Sequence, residues 1–194
     1  MKKSIRTLAV AGFLTGLLQA DNSTTIKLGY ETVNQDVLGQ SLDLKGMSLA
    51  IEFPLNPTNG GLLSSFIHYS QLDLKQSSIF GFPISGDTDA IGVGLKYNFC
   101  KTIDSDMETE AAGNALNSKA SFYVKLGYEK VDTSGSITVG PARISLNDDK
   151  KGLVYGAGFE TKTSGNIGFF AEWLEHKADS LDDSSIKFGI FSRF

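Results

Sequence analysis

The chain has 194 residues, 10% of them aromatic, and a formal net charge of −4. Without Lys2, Lys3 and Arg6 the 18 basic residues fall to 15 against 22 acidic ones, a charge of about −7. That balance excludes a nucleic-acid partner, which needs a basic stripe, and the single cysteine, Cys100, excludes an intrachain disulfide.

Residues 1–20 read as a signal peptide. "MKKSIR" is a basic opening, "TLAVAGFLTGLL" a short apolar run, and "LQA" ends on a small residue before Asp21. The apolar run is too short to span a bilayer as a helix, and no stretch of about eighteen apolar residues follows it. Cleavage is expected after Ala20, leaving 21–194 as one domain. Cys100 does not follow the signal region, so it is not a lipoprotein cysteine; it reads as a free thiol near a strand end.

The mature chain alternates. In "IKLGYETV" (26–33), Ile26, Leu28 and Tyr30 share one face of an extended chain, while Lys27, Gly29 and Glu31 share the other. The period of two recurs from Met47 to Phe53, more weakly in 62–70, then from Ile91 to Phe99 and from Phe122 to Glu129. It returns from Leu153 to Glu160, from Ile167 to Leu174 and from Ile186 to Phe194, which makes eight strands. Leu42 and Leu44 have the opposite parity from Met47 onward, and Gly46 between them is the expected site of a register-switching bulge.

The minority face carries Lys27, Glu31, Glu52, Lys96, Lys125, Glu129, Glu160, Glu172, Lys187 and Arg193, together with many glycines that make room for bulky neighbours such as Tyr123 and Phe170. The majority face is broad, apolar and aromatic. Charges of both signs inside and an apolar band outside fit a transmembrane barrel, not a soluble one. The fold class expected is all-β: an eight-stranded antiparallel transmembrane β-barrel with an N-terminal signal peptide. If odd strands run up from the periplasm, Tyr30, Tyr69, Tyr128 and Trp173 fall near the upper rim. Phe53, Tyr97, Phe99, Phe122, Phe159 and Phe194 then fall near the lower rim, giving two aromatic girdles.

Upper loops are expected at 34–43, 71–88, 132–150 and 177–184, and short lower links at 54–61 and 161–166. The lower link 100–119 is long and reads as holding a helical turn around Glu108–Ala115. It follows strand four, and strand five opens with "VKLGYEKV" (124–131), nearly a copy of 26–33. Duplication of a four-strand unit and convergence on one lipid-and-lumen pattern both account for that copy.

Signal peptide, eight alternating strands and the C-terminal "IKFGIFSRF" together resemble the small bacterial outer-membrane barrels of the OmpA-type transmembrane domain and opacity-protein class. The resemblance implies an outer-membrane location with extracellular loops and periplasmic termini, among lipid and lipopolysaccharide. It also implies insertion by the barrel-assembly machinery with periplasmic chaperones, Phe194 being the assembly signal. A structural or surface-binding role toward a host or surface ligand is expected, without a wide pore, since eight strands leave room only for side chains. A narrow channel is the alternative of that kind.

Few motifs suggest chemistry. "GVGLKYN" (92–98) and "YGAGFE" (155–160) lack the third glycine and following helix of a dinucleotide turn. In "IHYS" (67–70), His68 and Ser70 share one strand face, as a hydroxyl nucleophile and its base would. The pattern is similar to the His-x-Ser of lipid A deacylases, but those add a glutamate about twelve residues on, where this chain has Phe82. A non-catalytic barrel is therefore expected, with a deacylase-like site at His68 and Ser70 as the enzymatic alternative. His176 ends strand seven near Asp179, Asp182 and Asp183, which lack the spacing of a calcium loop and read as a solvated acidic loop. No metal or cofactor is expected.

Overall fold

The computed structural model describes residues 24–37, 40–55, 63–74, 78–79, 81–99, 119–163, 166–178 and 181–194. The expected signal peptide and the helical turn at Glu108–Ala115 lie outside the described residues. Nine strands are described: β1 (Thr25–Val37), β2 (Gln40–Pro54), β3 (Leu63–Leu74), β4 (Ser78–Ile79), β5 (Phe82–Asn98), β6 (Lys119–Val139), β7 (Ala142–Lys162), β8 (Ile167–Ala178) and β9 (Leu181–Arg193).

Each strand pairs antiparallel with its neighbour; β1 also pairs with β9, and β3 pairs with β5. The ring therefore closes with eight strands, and β4 is a two-residue addition to the β5 edge. Closure gives the backbone groups of the ring partners within the sheet, the condition for a β-structure in hydrocarbon.

Alternation decides what each face meets. Leu28, Val93, Leu126, Phe169 and Phe188 are each half exposed or more, whereas Lys27, Glu31, Lys96 and Glu129 are buried to within 1% of full exclusion. A soluble protein sorts these residue types the other way. The inverted pattern is that of a transmembrane barrel, with lipid as the outer solvent and the lumen as the packed interior.

Two expectations about the strands fail. The expected bulge at Gly46 is absent: the β1–β2 register runs unbroken from Thr25↔Glu52 to Val37↔Gln40. Parity is kept, so Leu42 and Leu44 point into the lumen, where Leu44 packs on Val33 and Leu72 with Leu74 beside them. The upper lumen is therefore apolar, and these leucines needed no change of face. The expected upper loops are also largely strand. Pairing continues through Asn34↔Asp43, Asp73↔Asp87 and Asp132↔Asp149, and 132–150 is a hairpin that turns at Gly140. Gly140 has φ +58°, which glycine adopts without a Cβ penalty. Polar composition alone suggested loops; cross-strand pairs of short polar side chains, such as Ser85–Ser136, hold the ladder instead.

β6 and β7 have 21 residues each. A tilted strand crosses hydrocarbon in about 9–11 residues, so roughly half of this hairpin stands above the band. β5 accompanies it as far as Ile84↔Ile137.

Candidate functional site

The lumen holds two polar layers. In the lower one Lys27, Lys96 and Lys125 meet Glu52, Glu160 and Glu172. Lys27 lies 2.9 Å from Glu52, 2.6 Å from Glu160 and 3.1 Å from Glu172. Lys96 reaches Glu52 at 2.7 Å and also pairs with Glu160, and Lys125 reaches Glu172 at 2.6 Å. Cations and anions match in number, so no net charge is left in a site from which bulk water is excluded. Tyr123 stands at the centre, its hydroxyl donating to Glu172 at 2.7 Å and accepting from Lys27 at 3.2 Å. The ammonium groups of Lys96 and Lys27 lie 4.1 and 4.5 Å from its ring centroid. Arg193 closes the base, half exposed, 3.7 Å from Glu160.

The repeated octet occupies equivalent places here. Lys27 lies 4.9 Å from the Phe170 ring and Lys125 4.9 Å from the Phe66 ring. Each phenylalanine tip sits where a Cβ on Gly29 or Gly127 would be, at 2.8 and 3.0 Å respectively. The octet thus places a lysine below a ring and a glycine beneath that ring's edge. Gly127→Val is expected to force Phe66 and the Val93 carbonyl apart at a cost of about 1–3 kcal/mol. A lowered urea midpoint, with Ser121→Ala at the strand's lower end as the near-neutral control, checks it.

The upper layer has Glu31, Glu129, Lys187, His68, His176, Ser70 and Ser185, all buried. Lys187 pairs with Glu31 at 3.1 Å, and Ser70 donates a short hydrogen bond to the same carboxylate. His176 Nδ1 is 2.6 Å from Glu129 Oε1, and its Nε2 is 2.9 Å from Ser185 Oγ. His68 stacks on Phe66 at 5.7 Å and faces Glu129 at 3.4 Å. Above this layer opens a cup of about 40 Å³ lined by Val33, Leu44, Leu72, Ala90 and Val131, with Glu31, Ser70 and His176 at its floor. Thr88, Thr133 and Asp183 also line the cup, so apolar and polar groups share its wall.

The structure places the ten charged residues expected in the lumen on its inner face, nine buried and Arg193 at the base. Tyr30, Tyr69, Tyr128, Trp173, Phe53, Tyr97, Phe99, Phe122 and Phe159 have outward parity, and Phe194 binds the Thr24 carbonyl through its backbone at 2.9 Å. His68 and Ser70 both face inward, but each turns to other partners: Ser70 to Glu31 and Lys187, His68 to Glu129. His176, expected beside a solvated loop, lies inside and joins a serine to a carboxylate. Strand parity carried one more step past Glu172 and Leu174 would have placed it there.

The β5–β6–β7 hairpins add a second feature. Asp89, Asp132 and Asp149 are direct cross-strand neighbours, and Asp73 faces Asp87. Lys130 reaches Asp132 at 2.5 Å and Asp149 at 3.7 Å, and Ser134 donates to Asp87 at 2.6 Å. This outward face carries both signs, the aspartates standing beside Lys130, Arg143 and Lys151. On the inner face Ile84, Ile137 and Ile144 form one apolar row. Among the described residues Ala142–Lys151 pair with β6 alone, since β8 joins β7 only from Gly152.

With ring, lumen and projecting hairpins in view, solved structures supply the comparison. The attachment invasion locus protein of Yersinia pestis, Ail, superposes with a TM-score of 0.59 at 21% identity, over 90% of this chain and 100% of that one. The fold is that of the small outer-membrane barrels. A second Ail structure, in complex with the heparin analogue sucrose octasulfate, matches at 0.59 and 19% identity, over 90% of this chain and 100% of Ail. Neisserial surface protein A matches at 0.55 and 11% identity over 88% of this chain and 97% of that one. No protein-family model and no curated protein sequence matches the chain. Among the described residues, the cup inside and the hairpin sheet above are the candidate places for function.

Proposed function

We propose that this is a bacterial outer-membrane protein whose projecting sheet binds a surface or host ligand. The observation that carries the reading is the β7 edge, Ala142–Lys151, which among the described residues pairs with β6 alone. Ten residues of strand offer roughly 33 Å of backbone donors and acceptors. An extended segment of a partner can add there as a further strand, its alternate side chains reading the sheet's two faces. The edge itself carries Arg143, Lys150 and Lys151 beside Asp148 and Asp149, so backbone pairing and not net charge would carry the recognition. The barrel is the scaffold, with aromatic rings at both lipid interfaces, lipopolysaccharide around its upper half and Phe194 read by the assembly machinery.

One protein of like fold bears on this: Ail is named the attachment invasion locus protein and was crystallised in complex with the heparin analogue sucrose octasulfate. Strand addition at the β7 edge is a different chemistry of attachment.

Replacing 134–147 by a two-residue turn is expected to leave a barrel whose electrophoretic band still shifts on heating. Cells expressing it should lose most of their adherence to host-cell monolayers relative to cells with the full chain. Equal adherence by the shortened, folded barrel defeats the reading.

A further inference from the structure

The geometry points to a serine-hydrolase site beneath the upper cup, with Ser185 as nucleophile, His176 as the base that reaches the cup, and Glu129 as the group that orients it. Three strands supply the three residues: Ser185 from β9, His176 from β8 and Glu129 from β6. The atoms are in the order that acyl transfer needs. Ser185 Oγ is 2.9 Å from Nε2 of His176, and Glu129 Oε1 is 2.6 Å from Nδ1 of the same ring. A carboxylate at Nδ1 fixes the tautomer with its proton there, leaving Nε2 free to accept the serine proton.

The surroundings fit an acyl substrate. His176 lines the cup, and so does Val33, the direct cross-strand neighbour of Ser185. Ser185 itself is 1% exposed and outside the lining, so the substrate has to pass Val33 to reach its hydroxyl. Val33, Leu44, Leu72, Ala90 and Val131 suit hydrocarbon, Thr88, Thr133 and Asp183 leave part of the lining polar, and the volume of about 40 Å³ suits a short chain. A single water needs about 10–15 Å³ by the same measure, so the cup holds an acyl group of roughly two to four carbons.

The proposed substrate is a short-chain carboxylic ester entering from above. Ser185 Oγ bonds to the ester carbonyl carbon as its proton passes to His176 Nε2. The imidazolium then gives that proton to the alkoxide oxygen as the ester C–O bond breaks, releasing an alcohol and leaving acyl-Ser185. Water repeats the sequence: its proton goes to His176, its oxygen to the acyl carbon, and the proton returns to Ser185 as the carboxylic acid leaves. No oxidant, reductant or metal enters the balance. The paired Ser70 and His68 of the "IHYS" motif are not the nucleophile and base, because Ser70 is turned to Glu31 and Lys187.

Two readouts test the site on the full mature chain folded in detergent, its folding checked by the heat-induced band shift. With diisopropyl fluorophosphate the folded protein should gain one phosphoryl adduct, mapped by mass spectrometry to the peptide holding Ser185. With p-nitrophenyl butyrate it should release nitrophenol at least tenfold faster than the heat-unfolded chain. Folded Ser185→Ala should lose both, and Ser70→Ala should still label at Ser185. If Ser185→Ala does not fold, the mapped adduct on the native chain decides. An unlabelled folded protein, an adduct elsewhere, or turnover that survives in Ser185→Ala overturns the assignment.

Discussion

Replacing Lys27 by methionine is expected to lower the stability of the folded barrel by about 3–5 kcal/mol, the range for removing one partner of a buried ion pair. Lys27 is 1% exposed and lies within 3.1 Å of three carboxylates, Glu52, Glu160 and Glu172. Methionine keeps the length of the side chain and most of its packing, so the loss reports charge, not volume. Three glutamates would then face two buried lysines, Lys96 and Lys125, with the half-exposed Arg193 reaching Glu160 from the base. Coupling the change to Glu160→Gln restores the charge balance and should recover part of the loss, which no packing explanation predicts. Lys45, partly exposed and 3.3 Å from Asp43, is the surface comparison; Lys45→Met should change stability by less than about 1 kcal/mol. Urea unfolding in lipid vesicles, followed by the single tryptophan, Trp173, measures all of these. An unchanged midpoint for Lys27→Met would show that the pairs contribute nothing net.

Much of this arrangement was readable from alternation. Side chains of a strand change face at every residue, so a charge at Lys27 and another at Glu31 must share a face, and the sequence between them says which. Fold class and the inner set followed from that rule. The rule was abandoned too early at two places. At Leu42 and Leu44 an apolar pair on the inner face looked like a register change, although a lumen can be apolar at one end as well as a core can. At His176, read as the end of strand seven beside a loop at 177–184, the strand runs on to Ala178, and the acidic neighbours drew attention from the inward direction of the side chain. Which inner residues touch was not readable at all. Strand tilt displaces neighbours along the barrel axis, so His176 meets Glu129 across the lumen, from strands that are not adjacent. Chain-local spacing, as in His68 and Ser70, does not reveal such pairs.

Tyr123→Ala is expected to cost the barrel about 3–5 kcal/mol, as truncation of a large buried aromatic ring does. The ring is 1% exposed and serves three neighbours at once: its hydroxyl bridges Lys27 and Glu172, and its face lies beneath Lys27 and Lys96. It also fills the space beside Gly158, whose Cβ, if present, would lie 2.3 Å from the ring. Gly158 and Tyr123 are thus one packing unit, a small residue across from a large one. Tyr123→Phe separates the parts. It keeps the ring and removes only the hydroxyl, while Glu172 retains Lys125 at 2.6 Å, so a loss of about 1 kcal/mol is expected. The same pair of variants probes conduction. Removing the ring opens a space between the lysines and glutamates that water can enter, and a water-filled, charge-lined lumen passes ions. In planar bilayers the native barrel and Tyr123→Phe should be silent, and Tyr123→Ala should show brief conductance steps. Native conductance equal to that of Tyr123→Ala would mean that the central tyrosine is no barrier, and that the lumen is a path instead of a core.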